Sequence, residues 1–155
     1  MKPSPVLEPA QTRPIVADLK TLLANTYVLY VKTQNFHWNV EDPRFHSLHV
    51  FFEEHYKELA DAVDLIAERI RVLREKTPAS LAAFLELTTL NEAGDDLDTQ
   101  EMLRELLHDH ENISVWLRGR IEPTQKLGDE GTADLMIERL RAHEKAAWML
   151  RSHLM

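Results

Sequence analysis

The chain predicts an all-α fold: a four-helix bundle with a short extra helix in the connection between the second and third helices. Three observations carry that expectation. Apolar residues recur at helical spacing in four long stretches, no segment alternates apolar and polar residues as a strand does, and the 155 residues include only four Gly. With 44% hydrophobic residues, this length suits one domain with a sizeable core.

Residues 1–12 hold three prolines and few apolar side chains, so they are expected to form a flexible N-terminal tail ahead of a single domain, 13–155. From Arg13 to Asn39 the residues Ile15, Leu19, Leu22, Leu23, Thr26, Leu29, Tyr30 and Thr33 mark one face of a first helix. Asp42-Pro43 stops it, because Pro disfavours helical backbone at the residue before it. A second helix is expected from Arg44 to Lys76, ended by Thr77-Pro78. Leu81, Phe84, Leu85 and Leu87 make Ala79 to Thr88 a short helix inside a long connection, and Asn91 to Asp95 reads as loop. Met102, Leu106, Ile113, Leu117 and Ile121 share a face of a third helix, Thr99 to Ile121. A turn follows over Pro123 to Gly131, and Leu135, Leu140, Ala147, Leu150 and Leu154 mark a fourth helix from Thr132 to Leu154. One long connection amid four helices describes a bundle with a crossover.

Composition removes several function classes. There is no Cys, so disulfides and thiolate metal sites are excluded, and any metal must bind His and carboxylate. The formal net charge of −8 argues against a general nucleic-acid binder, whose duplex affinity comes largely from Lys and Arg. No stretch approaches the roughly 20 apolar residues of a membrane span, and the N-terminus lacks the apolar core of a signal peptide, so a cytoplasmic location is the default.

The chemistry is concentrated on the second helix. His49 and Glu53 stand four apart, as do Asp64 and Glu68, so each pair offers two ligands from one helix face. With His49 at 0°, Glu53 falls near 40°, Asp64 near 60° and Glu68 near 100°, at about 100° per residue. The apolar stripe Phe45, Phe52, Leu59, Val63, Ile66 and Ile70 centres on the adjacent side, and Ala60 and Ala67 leave room for a close partner helix. The two pairs lie 15 residues apart, about 22 Å along the axis at about 1.5 Å per residue. One straight helix therefore cannot bring both to one ion, whereas an antiparallel two-fold mate sets one subunit's first pair opposite the other's second. Two metal sites shared across a dimer are expected.

His37 joins them from the end of the first helix, twelve residues before His49 across one short turn. Carboxylates with one or two imidazoles suit Fe²⁺, and a second cation about 3.5–4 Å away is within reach of a bridging carboxylate such as Glu68. Two other patterns read as decoys. Glu105 and His108 form a Glu-x-x-His unit with no second copy on another helix, which reads as a helix-surface pair. His46 precedes His49 by about one turn and reads as the second decoy. His55, His108, His110, His143 and His153 lack a comparable carboxylate register and are expected at the surface or between helices.

Asn35-Phe36-His37-Trp38-Asn39-Val40, Phe45-His46-Ser47-Leu48-His49, Phe52-Glu53-Glu54 and Asp64 through Ile70 together resemble the Dps family (DNA-binding protein from starved cells) of the ferritin superfamily. The resemblance runs from about residue 13 to 153, with weaker support from Thr132 to Leu135 and Trp148. It implies a ferroxidase centre built from His37, His49 and Glu53 of one subunit and Asp64 and Glu68 of its two-fold mate. It implies two irons per shared site, with Zn or Mn able to substitute, in a hollow homododecamer built from dimers. Such a cage oxidises Fe²⁺ with hydrogen peroxide and stores ferric mineral. Many members carry Asp where Glu53 stands, so this chain departs at one ligand, and a longer carboxylate weakens the second iron position. By the same resemblance Glu54 is a mineral-nucleation carboxylate, and Glu130 and Asp134 line a channel through which iron enters. Members that bind DNA often have Lys-rich tails, whereas residues 1–13 hold only Lys2 and Arg13. DNA compaction with minor metal chemistry is the alternative reading.

Overall fold

Five helices follow one another in the computed structural model, which describes Pro3 and residues 7–155: α1 (Pro9–Asn39), α2 (Phe45–Val72), α3 (Leu81–Leu87), α4 (Thr99–Lys126) and α5 (Glu130–His153). There is no strand among the described residues. α1 and α2 form one antiparallel hairpin and α4 and α5 a second; α1 packs on α4 and α2 on α5, which closes a four-helix bundle. The crossover between the hairpins carries α3, which lies against α1.

The core is drawn from the faces expected of each helix. Ile15, Leu19, Leu22, Leu23 and Leu29 of α1 meet Phe52, Leu59, Ile66 and Ile70 of α2, with Leu103, Leu106, Leu117, Met136 and Leu150 from the other hairpin. The buried face of α2 is broader than the expected stripe, since Leu48, Phe51 and Ala62 are buried while Phe45 is 44% exposed. Thr26 and Thr33, buried within α1, turn their hydroxyls back onto the carbonyls of Leu22 and Leu29, at 2.7 Å each, so neither polar group is left unpaired. Asn25 fixes the crossover: its amide donates to Thr89 Oγ1, and its carbonyl accepts from the Thr88 hydroxyl and the Thr89 N–H.

Four helix ends differ from expectation, each for a local reason. α1 begins at Pro9, so residues 9–12 of the expected tail are helical; residues 1–2 and 4–6 of that tail lie outside the described residues. Pro9 fits the first helical position, Gln11 Oε1 accepts from Glu8 N–H, and Gln11 Nε2 donates to the Leu127 carbonyl, which anchors this turn. α2 stops at Val72, four residues early, because Arg74 takes a left-handed conformation (φ 71°) and Glu75 N–H returns to the Ile70 carbonyl. α4 continues through Pro123 to Lys126. The proline sits in the last turn, where a single ladder bond is lost, and Thr124 behind it is buried against Met136. α5 starts at Glu130, two residues early, because Asp129 caps it by accepting from Thr132 N–H.

Candidate metal centre

His37 and His49 meet where α1 ends and α2 begins. Their rings stack with centroids 3.8 Å apart and 13° between planes. Each ring Nδ1 donates to the other residue's backbone carbonyl, at 2.7 Å in both directions. A carbonyl only accepts, so Nδ1 carries a proton in both rings, and Nε2 is the nitrogen each has left to offer a metal ion. A backbone carbonyl on the far nitrogen is the usual support of a metal-binding histidine, because it fixes tautomer and ring orientation before the ion arrives. Phe45 stacks on His49 at 5.0 Å and Tyr56 stands edge-on to His37 at 5.1 Å, completing an apolar wall around the pair.

Glu53 lies one turn after His49 and is half-buried; its Oε1 is 3.2 Å from Lys57 Nζ. Asp64 and Glu68 are exposed on the same helix, beyond the reach of the histidine pair by the length of the rod between them. Within one chain the structure thus brings together His37, His49 and, a turn away, Glu53. It does not bring Asp64 and Glu68 to them. Among the described residues no group of three or more candidate ligands converges in one subunit.

Glu130 and Asp134 are exposed one turn apart at the start of α5, and Glu54 is exposed on α2. A clasp absent from the sequence reading fixes their placement. Arg69, next to Glu68, donates from Nη2 to Asp129 Oδ1 at 2.8 Å and from Nε to Thr132 Oγ1 at 2.9 Å. Thr132 donates its hydroxyl to Asp129 Oδ2. A β-carbon on Gly131 would stand 2.7 Å from Arg69 Nη2, so a larger residue there would push the guanidinium out of the clasp. The acidic N-terminus of α5 is therefore bolted to the Asp64–Glu68 end of α2. The available signal was Asp129 three residues before Thr132, the spacing of a helix N-cap and the N–H it accepts from.

Only one half of the expected surface pair is at the surface: His108 shares a hydrogen bond with Asn112 and faces solvent, whereas Glu105 is half-buried, its Oε2 enclosed 3.6 Å from the Nζ of buried Lys32. His46 is exposed. The other histidines are where they were expected, but two of them form a network that periodicity did not reveal. His110 of α4 and His143 of α5 are fully enclosed and joined Nδ1 to Nδ1 at 2.9 Å. Arg139 Nη2 reaches His143 Nε2 at 3.3 Å while its guanidinium pairs with Glu58 of α2. Burial holds His110 down to about 3 and His55 to about 4, and holds His143 well below the ordinary imidazole range, so all three are neutral. Lys32 is likewise buried, and its ammonium donates to Asp109 at 2.8 Å; burial raises the Asp109 carboxyl despite that partner.

A ferritin-like domain model matches residues 16–155. The chain is 37% identical over 140 residues to DNA protection during starvation protein 2 of Bacillus anthracis, covering 90% of this chain and 96% of the relative. The fold superposes on the crystal structure of a Dps protein from Bacillus brevis with a TM-score of 0.92 at 34% identity, covering 96% and 100% of the two chains. It matches equally well, at 0.92 and 33% identity over 96% and 94%, the Dps protein of Vibrio cholerae O1, described as a member of a broad superfamily of ferritin-like diiron-carboxylate proteins. The helix order, the placement of the crossover and these likenesses agree: this chain belongs to the Dps family of the ferritin superfamily.

Proposed function

We propose that the protein is a ferroxidase and iron-storage subunit. Its substrate Fe²⁺ binds between two copies of the chain: His37, His49 and Glu53 come from one copy and Asp64 and Glu68 from its two-fold mate. The observation that carries this reading is the reciprocal clamp of His37 and His49, which preorganises two lone-pair Nε2 atoms at one end of a helical rod. The far carboxylates support it, since the same rod offers a second copy two exposed acids on a neighbouring face. Exposed apolar side chains accompany both halves: Trp38 and Phe45 near the histidines, Leu65 and Val72 near the acids. A partner copy would cover them.

The reaction consumes one hydrogen peroxide per two Fe²⁺. Each iron gives one electron, the O–O bond breaks, two protons are taken up, and two Fe³⁺ and two waters result. Imidazole Nε2 and carboxylate oxygens hold Fe²⁺ weakly and leave coordination positions open to the oxidant. Glu54 then serves as a carboxylate for growing ferric mineral, and Glu130 and Asp134 attract incoming cations. Zn or Mn would occupy the same donors. A homododecamer built from dimers would enclose the mineral. No helix among the described residues is long and apolar enough to cross a membrane, and we place the protein in the cytoplasm. DNA is protected by removal of Fe²⁺ and peroxide; the charge of −8 works against direct binding.

The test is the rate of Fe²⁺ oxidation by peroxide in assembled His37→Ala/His49→Ala protein. Loss of the fast phase is expected, and an unchanged rate rejects the assignment. A wild-type protein that retards plasmid at physiological salt without oxidising iron would favour DNA compaction instead.

A further inference from the structure

Two enclosed ring nitrogens without a partner belong to the wall of one cavity, away from the His37–His49 pair. The cavity lies among α2, α4 and α5, and its mouth is formed by Glu54, Glu58 and Lys145, all exposed. Its volume is about 340 Å³, at the small end of the roughly 300–1,000 Å³ of small-molecule sites. His55 and His110 line it, with their rings edge-on and centroids 6.2 Å apart. Ala142, Ala146 and Met149 of α5 complete the wall. His55 Nδ1 and His110 Nε2 are both enclosed and hydrogen-bonded to nothing among the described residues. A buried polar atom left unpaired costs stability, so two in one wall call for an occupant.

The neighbouring contacts decide what each nitrogen offers. Arg139 Nη2 donates to His143 Nε2 at 3.3 Å, so His143 carries its proton on Nδ1 and gives it to His110 Nδ1 at 2.9 Å. His110 therefore holds its own proton on Nε2, a donor. His55 is half-buried, and Nδ1 is its enclosed nitrogen; with the proton on the outer nitrogen, Nδ1 is an acceptor. One donor and one acceptor this close suit a single hydroxyl, which accepts from the first and donates to the second at about 2.9 Å each.

Other occupants fit less well. His110 is neutral, and the mouth sets two carboxylates against one ammonium, so an anion is disfavoured. A metal ion finds one enclosed lone pair, and no group of three or more candidate ligands converges among the described residues. Water filling the cavity needs about two to four polar partners per molecule, and Ala142, Ala146 and Met149 give none beyond the two nitrogens. The apolar wall asks instead for an apolar body behind the hydroxyl. Ala142 and Ala146 stand one turn apart on α5 and leave room for a planar ring, and the Met149 thioether favours contact with an aromatic one. We propose that this cavity binds a neutral monocyclic phenol, its hydroxyl bridging His110 Nε2 and His55 Nδ1 and its ring against Ala142, Ala146 and Met149. No iron is involved, so the site stands independently of the ferroxidase reading.

The experiment titrates iron-free assembled protein with phenol by calorimetry, with toluene, cyclohexanol and benzoate as comparators, and locates the ring in phenol-soaked crystals. Phenol is expected to bind saturably, one per subunit. Toluene leaves both nitrogens unpaired and is expected to bind about tenfold more weakly or worse. Cyclohexanol keeps the hydroxyl without the ring and should also bind more weakly, and benzoate should not bind. His55→Phe removes the acceptor and should weaken phenol by about fivefold. Ala146→Leu fills the ring position and should abolish binding, with thermal melting showing that the fold is kept. The proposal is overturned if phenol does not bind, or if toluene, cyclohexanol or benzoate binds as tightly. It is also overturned if either variant, folded and assembled, binds phenol as wild type does, or if soaked crystals show only water between the two histidines. Should His55→Phe fail to assemble, the comparison of phenol with toluene on wild-type protein still decides.

Discussion

Two histidine pairs stand in this molecule, one in each helical hairpin, and they are wired in opposite ways. In the first hairpin His37 and His49 spend Nδ1 on backbone carbonyls and keep both Nε2 atoms as lone pairs. In the second, His110 and His143 spend their Nδ1 atoms on each other. Arg139 donates to His143 Nε2, so His143 carries its proton on Nδ1 and donates it to His110. His110 Nε2 is then a buried N–H without a partner. The first pair offers two donors to an ion; the second offers none and works as interior packing between α4 and α5. What separates a ligand from a core histidine here is the acceptor that takes its other nitrogen, not its spacing or burial.

That contrast is broken most directly by exchanging the loss between the pairs. Removing His37 and His49 strips the two proposed imidazole ligands, and iron oxidation should fall by more than the roughly 10–100-fold that loss of an outer-shell partner costs. His143→Ala should do the reverse. It leaves His110 and Arg139 without their buried partner and opens a cavity, for a loss of about 3 kcal/mol in stability by chemical denaturation. The rate of iron oxidation per assembled centre should not change. A loss of oxidation in His143→Ala, with assembly intact, would erase the distinction.

Acid sharpens it. His110 and His55 are held neutral, down to about 3 and about 4, by burial. Between those values and the unfolded imidazole value of about 6.5 the unfolded chain binds more protons than the folded one. Stability from these groups is therefore complete above about pH 6.5 and is lost as pH falls toward 4 and 3, at up to about 1.4 kcal/mol per pH unit for each histidine. Thermal midpoints measured from pH 7 to pH 4 should fall more steeply for wild type than for His143→Ala. Parallel curves would mean that this network does not set the acid limit. The smallest effect lies at the edge of the metal centre. Lys57→Ala frees Glu53 from an exposed pair worth about 0.3–0.5 kcal/mol, so titration should show iron affinity rising about twofold.

Much of this was legible in the residues. The apolar period placed four helices and the crossover, and i,i+4 spacing put His49 with Glu53 and Asp64 with Glu68 on shared faces of α2, which any packing of the helix preserves. The same reasoning placed helix ends poorly. Pro123 looked like a boundary, yet it is inside α4, since burial of Thr124 outweighs one lost backbone bond. It also missed Lys32–Asp109, Arg69–Asp129 and His110–His143, because their partners lie 77, 60 and 33 residues apart and no local period connects them.

By itself, then, the sequence determined which faces are apolar, which carboxylates and imidazoles share a turn, and that a rod of this length cannot fold its distant acids onto its own histidines. Tertiary structure decided which nitrogen of each imidazole is left for a ligand, and which charges are sealed in pairs. Periodicity is a property of one helix, whereas a hydrogen bond to a carbonyl on the neighbouring helix exists only once the two are packed.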